Sequence, residues 1–121
     1  MKRILFVCSA NSQRSPAFER EMKLKVDKTK FEIRSAGCWT GYPYRVDQEI
    51  LQWADYVYVM DLSHKIFIHQ RYKDYLLKVK VIGISDQYDT DSGELKELIT
   101  YWYETEFKPK FLEPNRLGKL D

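Results

Sequence analysis

Cysteine and histidine are scarce in this chain of 121 residues, with two of each. Two cysteines cannot build a disulfide scaffold, and such usage suits a reducing cytoplasm. His64 and His69 stand five positions apart, a poor spacing for shared metal ligation on one helix face, and read as surface residues. A dominant charge is missing too. The net charge of +2 gives no electrostatic case for nucleic acid or a membrane surface, although a mild basic excess suits anionic substrates. Lys and Arg between residues 65 and 80 read as a mixed solvated face. No apolar run approaches the length of a transmembrane helix. The run after Met1-Lys2-Arg3 meets Asn11 and Arg14 too soon to be a secretory h-region. Internal repeats and a linker to a second domain are absent as well.

What is present is a globular composition, 44% hydrophobic and 31% charged, in a length that fits one domain with a proper core. Strand and helix patterns alternate. Ile4 to Val7 is continuously apolar, as a parallel strand buried on both faces should be. Ser15 is placed as an N-cap with Pro16 at the first helical position, and Phe18, Met22 and Val26 share one helix face. Phe31 to Ile33 reads as a second strand, leading into an aromatic, Gly- and Pro-containing loop through Tyr44. A short helix over 46–53 precedes a third strand, Tyr56 to Met60. Leu62 to Leu76 is expected to be helical and Val79 to Ile84 a fourth strand. Asp91-Ser92-Gly93-Glu94 has the form of a capping box, before a helix patterned by Leu95, Leu98, Ile99, Trp102 and Tyr103. Residues 107–121 show no period and are expected to form an irregular C-terminal tail. The alternation predicts an α/β fold, a parallel sheet covered by helices on both faces, with ligands bound beyond the C-terminal strand ends.

That edge carries the chemistry. The first strand ends on Cys8, and Ser9-Ala10-Asn11-Ser12-Gln13 lead to Arg14 and Ser15 at a helix start. Backbone N–H groups in such a loop, with the helix dipole behind them, cradle a tetrahedral dianion. Arg14 adds a two-pronged donor for phosphate oxygens. Cys8 adds a nucleophile whose thiolate the same positive field stabilises. The pattern points to phosphoryl transfer through a phosphocysteine, with no metal or other cofactor, because Arg14 and the loop amides already stabilise the equatorial oxygens. Asn11 is placed to accept a left-handed backbone and brace the loop. The leaving oxygen needs a proton, and the seven residues before Cys8 supply no acid. The donor must therefore lie downstream: Asp86 at the fourth strand's end or Asp89, with Asp91 explained as a cap. Trp39, Tyr42 and Tyr88 are placed to wall a pocket for an aromatic ring or to pack as lids.

The stretch Val7 to Pro16 resembles the signature loop of the low-molecular-weight protein tyrosine phosphatases. Ser35-Ala36-Gly37, Ala54-Asp55 with Val57 to Asp61, and Ile84-Ser85-Asp86-Gln87-Tyr88 resemble later segments of that family, in the same order, over about residues 2 to 104. The resemblance implies strand order 2-1-3-4, a serine at position 15 that donates to the thiolate, an Asn11 that braces the loop, and Asp86 as general acid. Pro commonly follows that acid, and here Gln87 does. Ser12 stands where tyrosine-directed members carry an apolar residue and phosphoarginine-directed members a Thr. The loop's second cysteine in many members is Gln13 here, so Cys38 is the expected partner of Cys8 in a weak redox switch.

The expected activity is therefore phosphomonoester hydrolysis, with phosphotyrosine in proteins or a small aryl phosphate as substrate, by a cytoplasmic monomer. Phosphoarginine hydrolysis is the alternative on the same loop. Arsenate reduction would need two further cysteines downstream, and only Cys38 is there. A phosphocysteine carrier would not need Arg14, and a weak phosphate-binding module would not need the acid.

Overall fold

The computed structural model describes residues 1–41 and 44–113. The elements are β1 (Lys2–Cys8), α1 (Arg14–Lys25), β2 (Phe31–Gly37), α2 (Gln48–Trp53), β3 (Tyr56–Val59), α3 (Leu62–Arg71), β4 (Val79–Val81), α4 (Gly93–Trp102) and α5 (Lys108–Phe111). A 3-10 turn over Lys73–Lys78 precedes β4, and a π-helical turn over Tyr103–Phe107 joins α4 to α5. All four strands run parallel in the order β2-β1-β3-β4. The fold is thus the single-domain α/β sheet that the strand–helix alternation predicts.

The sheet is buried from both sides, and the parity of β1 decides which residue faces which helices. Ile4, Phe6 and Cys8 pack with Phe18 and Met22 of α1 and with Leu95, Ile99 and Trp102 of α4. Leu5 and Val7 point the other way, to Leu51 of α2 and Ile68 of α3. Ile4 to Val7 are wholly inaccessible to solvent, which explains an apolar run without alternation. On the first face, Phe6, Phe18, Tyr58 and Trp102 form an aromatic cluster with ring centroids 5.0–5.9 Å apart. Each such pair adds about 0.5–1.5 kcal/mol beyond its area burial.

Several boundaries differ from the sequence reading. The fourth strand stops at Val81 because Gly83 takes φ +91°, and the amides of both Gly83 and Ile84 turn onto the Met60 carbonyl. Ser92, not Asp91, caps α4, its Oγ accepting from the Leu95 amide at 3.0 Å, while Asp91 pairs with Arg20 at 3.3 Å. The helix expected over 62–76 is α3 followed by the 3-10 turn. The irregular tail expected from residue 107 is corrected over 107–111. Phe107 is fully buried among Phe31, Trp102 and Phe111, and Pro109 sits in the first turn of α5, where a missing N–H breaks no helical bond. The remainder of that tail from residue 114, and Tyr42, lie outside the described residues.

Candidate active site

At the C-terminal edge of the sheet, Cys8 lies in register with Gly37 of β2, and the chain then bends through Ser9–Gln13 into α1. Gly37 is there because the loop leaves no room. A Cβ would stand 2.7–2.8 Å from the Asn11 nitrogen, the Ala10 carbonyl carbon and the Ser9 oxygen. Asn11 has φ +55°, the left-handed backbone that Asn tolerates, and its Nδ2 donates to Ser15 Oγ at 2.9 Å. Ser12 and Gln13 form the exposed rim.

Ser15 is not the N-cap. Gln13 holds that place without a side-chain cap, and Ser15 and Pro16 fall inside the first turn. The Ser15 hydroxyl is instead fully buried, 2.9 Å from Cys8 Sγ and 3.3 Å from the Ala36 carbonyl. It has one proton for these two acceptors, while Asn11 already fills one of its lone pairs. A Cys8 thiolate draws that proton onto sulfur. A thiol leaves it on Ala36.

Arg14 is buried, and its Nη1 donates both to Asp61 Oδ2 at 3.0 Å and to the Ile84 carbonyl at 2.8 Å. Those bonds aim the guanidinium from behind. Burial pushes the Asp61 carboxyl up, yet hydrogen bonds from Ser63 and Arg14 and the nearby positive charge outweigh it, so it titrates below the usual carboxylate range. Asp61 is thus a fixed counter-charge for Arg14.

The segment carrying the candidate acids is fastened across the loop. Ile84, two residues before Asp86, is tied to Arg14. Beyond Asp89, the Thr90 amide donates to Gln13 Oε1 at 2.6 Å and its hydroxyl to the Ser12 carbonyl at 2.7 Å. Arg20 of α1 donates to the Thr90 carbonyl at 2.9 Å. Asp86 and Asp89 are both exposed in the span between these anchors. Tyr88 is half-buried against the α1–α4 face. Trp39 is exposed, and its amide donates to the Ser9 carbonyl at 2.8 Å.

Two residues escape a reading by composition. His64, taken there for a surface residue, is 2% exposed. Its Nδ1 accepts from the Asp61 amide at 3.1 Å and its Nε2 lies 3.0 Å from Ser9 Oγ. Asp61-x-x-His64 following β3 has capping-box spacing, and that was the available signal. Thr90 gave none.

The expected Cys8–Cys38 pairing is not supported. Both cysteines are free, and they belong to the clusters on opposite faces of the sheet. Thiols whose Cβ vectors diverge cannot bridge without backbone movement. Burial, then the neighbouring Cys8 and Asp61, push the Cys38 thiol up to about 12, which leaves it protonated and unreactive at neutral pH.

The single-domain α/β fold with its parallel 2-1-3-4 sheet is shared with solved low-molecular-weight protein tyrosine phosphatases. No protein-family model and no curated protein matches the chain. Among solved structures it is similar to SP-PTP, a low molecular weight protein tyrosine phosphatase from Streptococcus pyogenes, at 20% identity over 93% of this chain and 98% of that one, with a TM-score of 0.75. It is similar also to YwlE arginine phosphatase from Geobacillus stearothermophilus, at 23% identity over 93% and 97%, TM-score 0.71. The tyrosine phosphatase Wzb from Escherichia coli K30, in complex with phosphate, matches at 20% identity over 87% and 98%, TM-score 0.70.

Proposed function

We propose that this chain is a metal-independent phosphatase that hydrolyses phosphomonoesters, phosphotyrosine in proteins foremost, through a phosphocysteine. The observation that carries the reading is the trio at the β1–α1 turn: Cys8 Sγ 2.9 Å from the Ser15 hydroxyl, with Arg14 buried and anchored in the same loop. The Cys8 thiolate attacks phosphorus in line, and the S–P bond forms as the P–O bond to the leaving group breaks. Asp86 gives its proton to that oxygen. Asp86, now a carboxylate, then takes a proton from water. The hydroxide attacks phosphorus, the S–P bond breaks, and inorganic phosphate leaves with the thiolate restored. Arg14 and the amides from Ser9 through Ser15, including Ala10, Asn11, Ser12 and Gln13, stabilise the equatorial oxygens throughout. Trp39 offers an exposed ring beside the loop for an aromatic substrate, with Tyr88 closer to the core.

Asp86 is preferred over Asp89 because it follows the end of the fourth strand and stands at the acid's position in the segment that resembles the phosphatase family, both residues being held between anchored neighbours. Phosphoarginine is the second reading. It is favoured by the Ser12 hydroxyl on the exposed rim and by likeness to a structure described as an arginine phosphatase. Arsenate reduction is disfavoured, since Cys38 is buried on the other face. Among the described residues no helix is long and apolar enough to cross a membrane. A reducing, cytoplasmic setting suits a catalytic thiol with no protective partner.

The test is hydrolysis of an aryl phosphate by wild type, Cys8→Ser, Asp86→Ala and Asp89→Ala. Loss in Cys8→Ser and a drop of about 10²-fold or more in Asp86→Ala are expected. Full activity in Cys8→Ser defeats the covalent mechanism, and loss in Asp89→Ala alone moves the acid. A panel of phosphotyrosine, phosphoserine and phosphoarginine peptides then separates the two readings.

A further inference from the structure

One helical turn holds both ends of the phosphate loop. Asp61, the N-cap of α3, bonds through its carboxylate to Arg14 at the loop's end. His64, three residues on, reaches Ser9 at the loop's start. The two grips are joined, because the acceptor for Asp61's own amide is His64 Nδ1. That bond also settles the tautomer: a nitrogen accepting an N–H carries no proton, so the hydrogen of the neutral ring sits on Nε2 and is donated to Ser9 Oγ. Ser9 is then clamped twice, through its hydroxyl by His64 and through its carbonyl by the Trp39 amide.

We propose that His64 is a positioning residue of the phosphate loop, its neutral imidazole spanning from the Asp61 amide to the Ser9 hydroxyl and so fixing the first amide after Cys8 for oxyanion binding. The proposal rests on the phosphatase reading for its chemistry, but on the geometry alone for its contacts. A ring 2% exposed has no water to replace either bond. Burial pulls the imidazole below its ordinary value of 6.5, the Asp61 carboxylate opposes this, and the Arg14 guanidinium adds to it. The Cys8 and Cys38 sulfurs lie at the same sheet edge, where a Cys8 thiolate contributes a charge of Asp61's sign. Protonation places a hydrogen on Nδ1 against the Asp61 amide, so the charged ring cannot keep both contacts.

Two isosteres divide the two bonds. Asn places an oxygen near the position of Nδ1 and keeps the α3 cap but falls short of Ser9. Gln extends to the position of Nε2. In calorimetric titrations with inorganic phosphate, run below the variant's lowered melting temperature, His64→Asn is expected to weaken binding about tenfold, equivalent to about 1.4 kcal/mol. His64→Gln is expected to recover most of that loss. Ser9→Ala should match His64→Asn, and the double variant should add little more. The imidazole 15N shifts of wild type should show Nε2–H at pH 7 and titration below 6.5. Wild-type phosphate affinity in His64→Asn, fully additive losses with Ser9→Ala, or an Nδ1–H tautomer would each overturn the assignment. Phosphate binding needs no turnover. A wild type that binds phosphate but hydrolyses nothing therefore defeats the phosphatase reading and leaves His64 in place.

Discussion

Gly37→Ala is the most economical probe of how the phosphate loop is supported. The added Cβ would stand 2.7 Å from the Asn11 nitrogen and 2.8 Å from both the Ala10 carbonyl carbon and the Ser9 oxygen. All three are main-chain atoms, so no side chain can rotate away. Bringing the nearest to ordinary contact at 3.4 Å moves the loop by about 0.7 Å. β2 is the stiffer partner, because Gly37 is in register with Cys8, donates to the Tyr44 carbonyl at 3.0 Å and accepts from the Val46 amide at 2.7 Å. The displacement therefore falls on Ser9–Asn11. Overpacking of this kind costs about 1–3 kcal/mol, a melting-temperature drop of roughly 4 °C per kcal/mol. Displacing oxyanion donors by nearly 1 Å costs about 10–100-fold in kcat/KM. The assay pairs aryl phosphate kinetics with thermal melts, and Gly93→Ala is the control. Nothing lies within 4 Å of a Cβ at Gly93, the first residue of α4, so that change should be neutral or stabilising by up to about 1 kcal/mol. Wild-type kcat/KM in Gly37→Ala would refute the reasoning.

Thr90→Val removes the hydroxyl that ties the acid segment to the Ser12 carbonyl. It should lower kcat/KM about two- to fivefold for one partly exposed hydrogen bond, with little change in melting temperature, and unaltered kinetics would show the tie to be idle. Mild peroxide should add oxygen to Cys8 without the loss of about 2 Da that marks a disulfide, since Cys8 and Cys38 occupy opposite faces. A Cys8–Cys38 bridge in the intact mass would contradict this. Acid should destabilise the fold in two windows. His64 sits below 6.5 when folded, so the unfolded chain takes up the proton first and stability falls as pH drops from about 6.5 toward the folded value. Asp61 sits below 3.8 when folded, so its contribution is present above that value and is lost as pH falls through the folded one. Denaturant melts of wild type and His64→Gln over this range check the first window, which should vanish in the variant.

The parts legible in the sequence are those where burial imposes a period or chemistry imposes a spacing. Ile4 to Val7 announces a strand covered on both faces, and Phe18 and Met22 lie on one helix stripe because that stripe meets the sheet. Cys8 and Arg14 are legible because the phosphate cradle we propose needs a nucleophile and a fork on the two sides of one turn. Hydrogen bonds between distant residues leave no such trace. Ser15 looks like a cap because Ser-Pro opens helices, yet its hydroxyl is claimed by Cys8 and Asn11. His64 looks like a surface residue because α3 is weakly patterned, and its burial comes from a polar partner on β1's loop rather than an apolar stripe. The strand after Val81 ends on the left-handed turn of Gly83, a backbone event that apolar composition hides. The helical turns over 107–111 were obscured by Pro109, which here falls at the second residue of α5, after turns that are already helical.

The span from Ser85 to Asp89 is a bridge with both footings set in the β1–α1 loop and its flank, at Arg14 on one side and at Gln13 and Ser12 on the other. Within it the acids are Asp86 and Asp89 and Tyr88 packs toward the core, so Ser85 and Gln87 are the positions that can change without loosening either footing. Exchanges at Ser85 and Gln87 should therefore retune which leaving groups the proposed acid can reach, with the proposed nucleophile left in place.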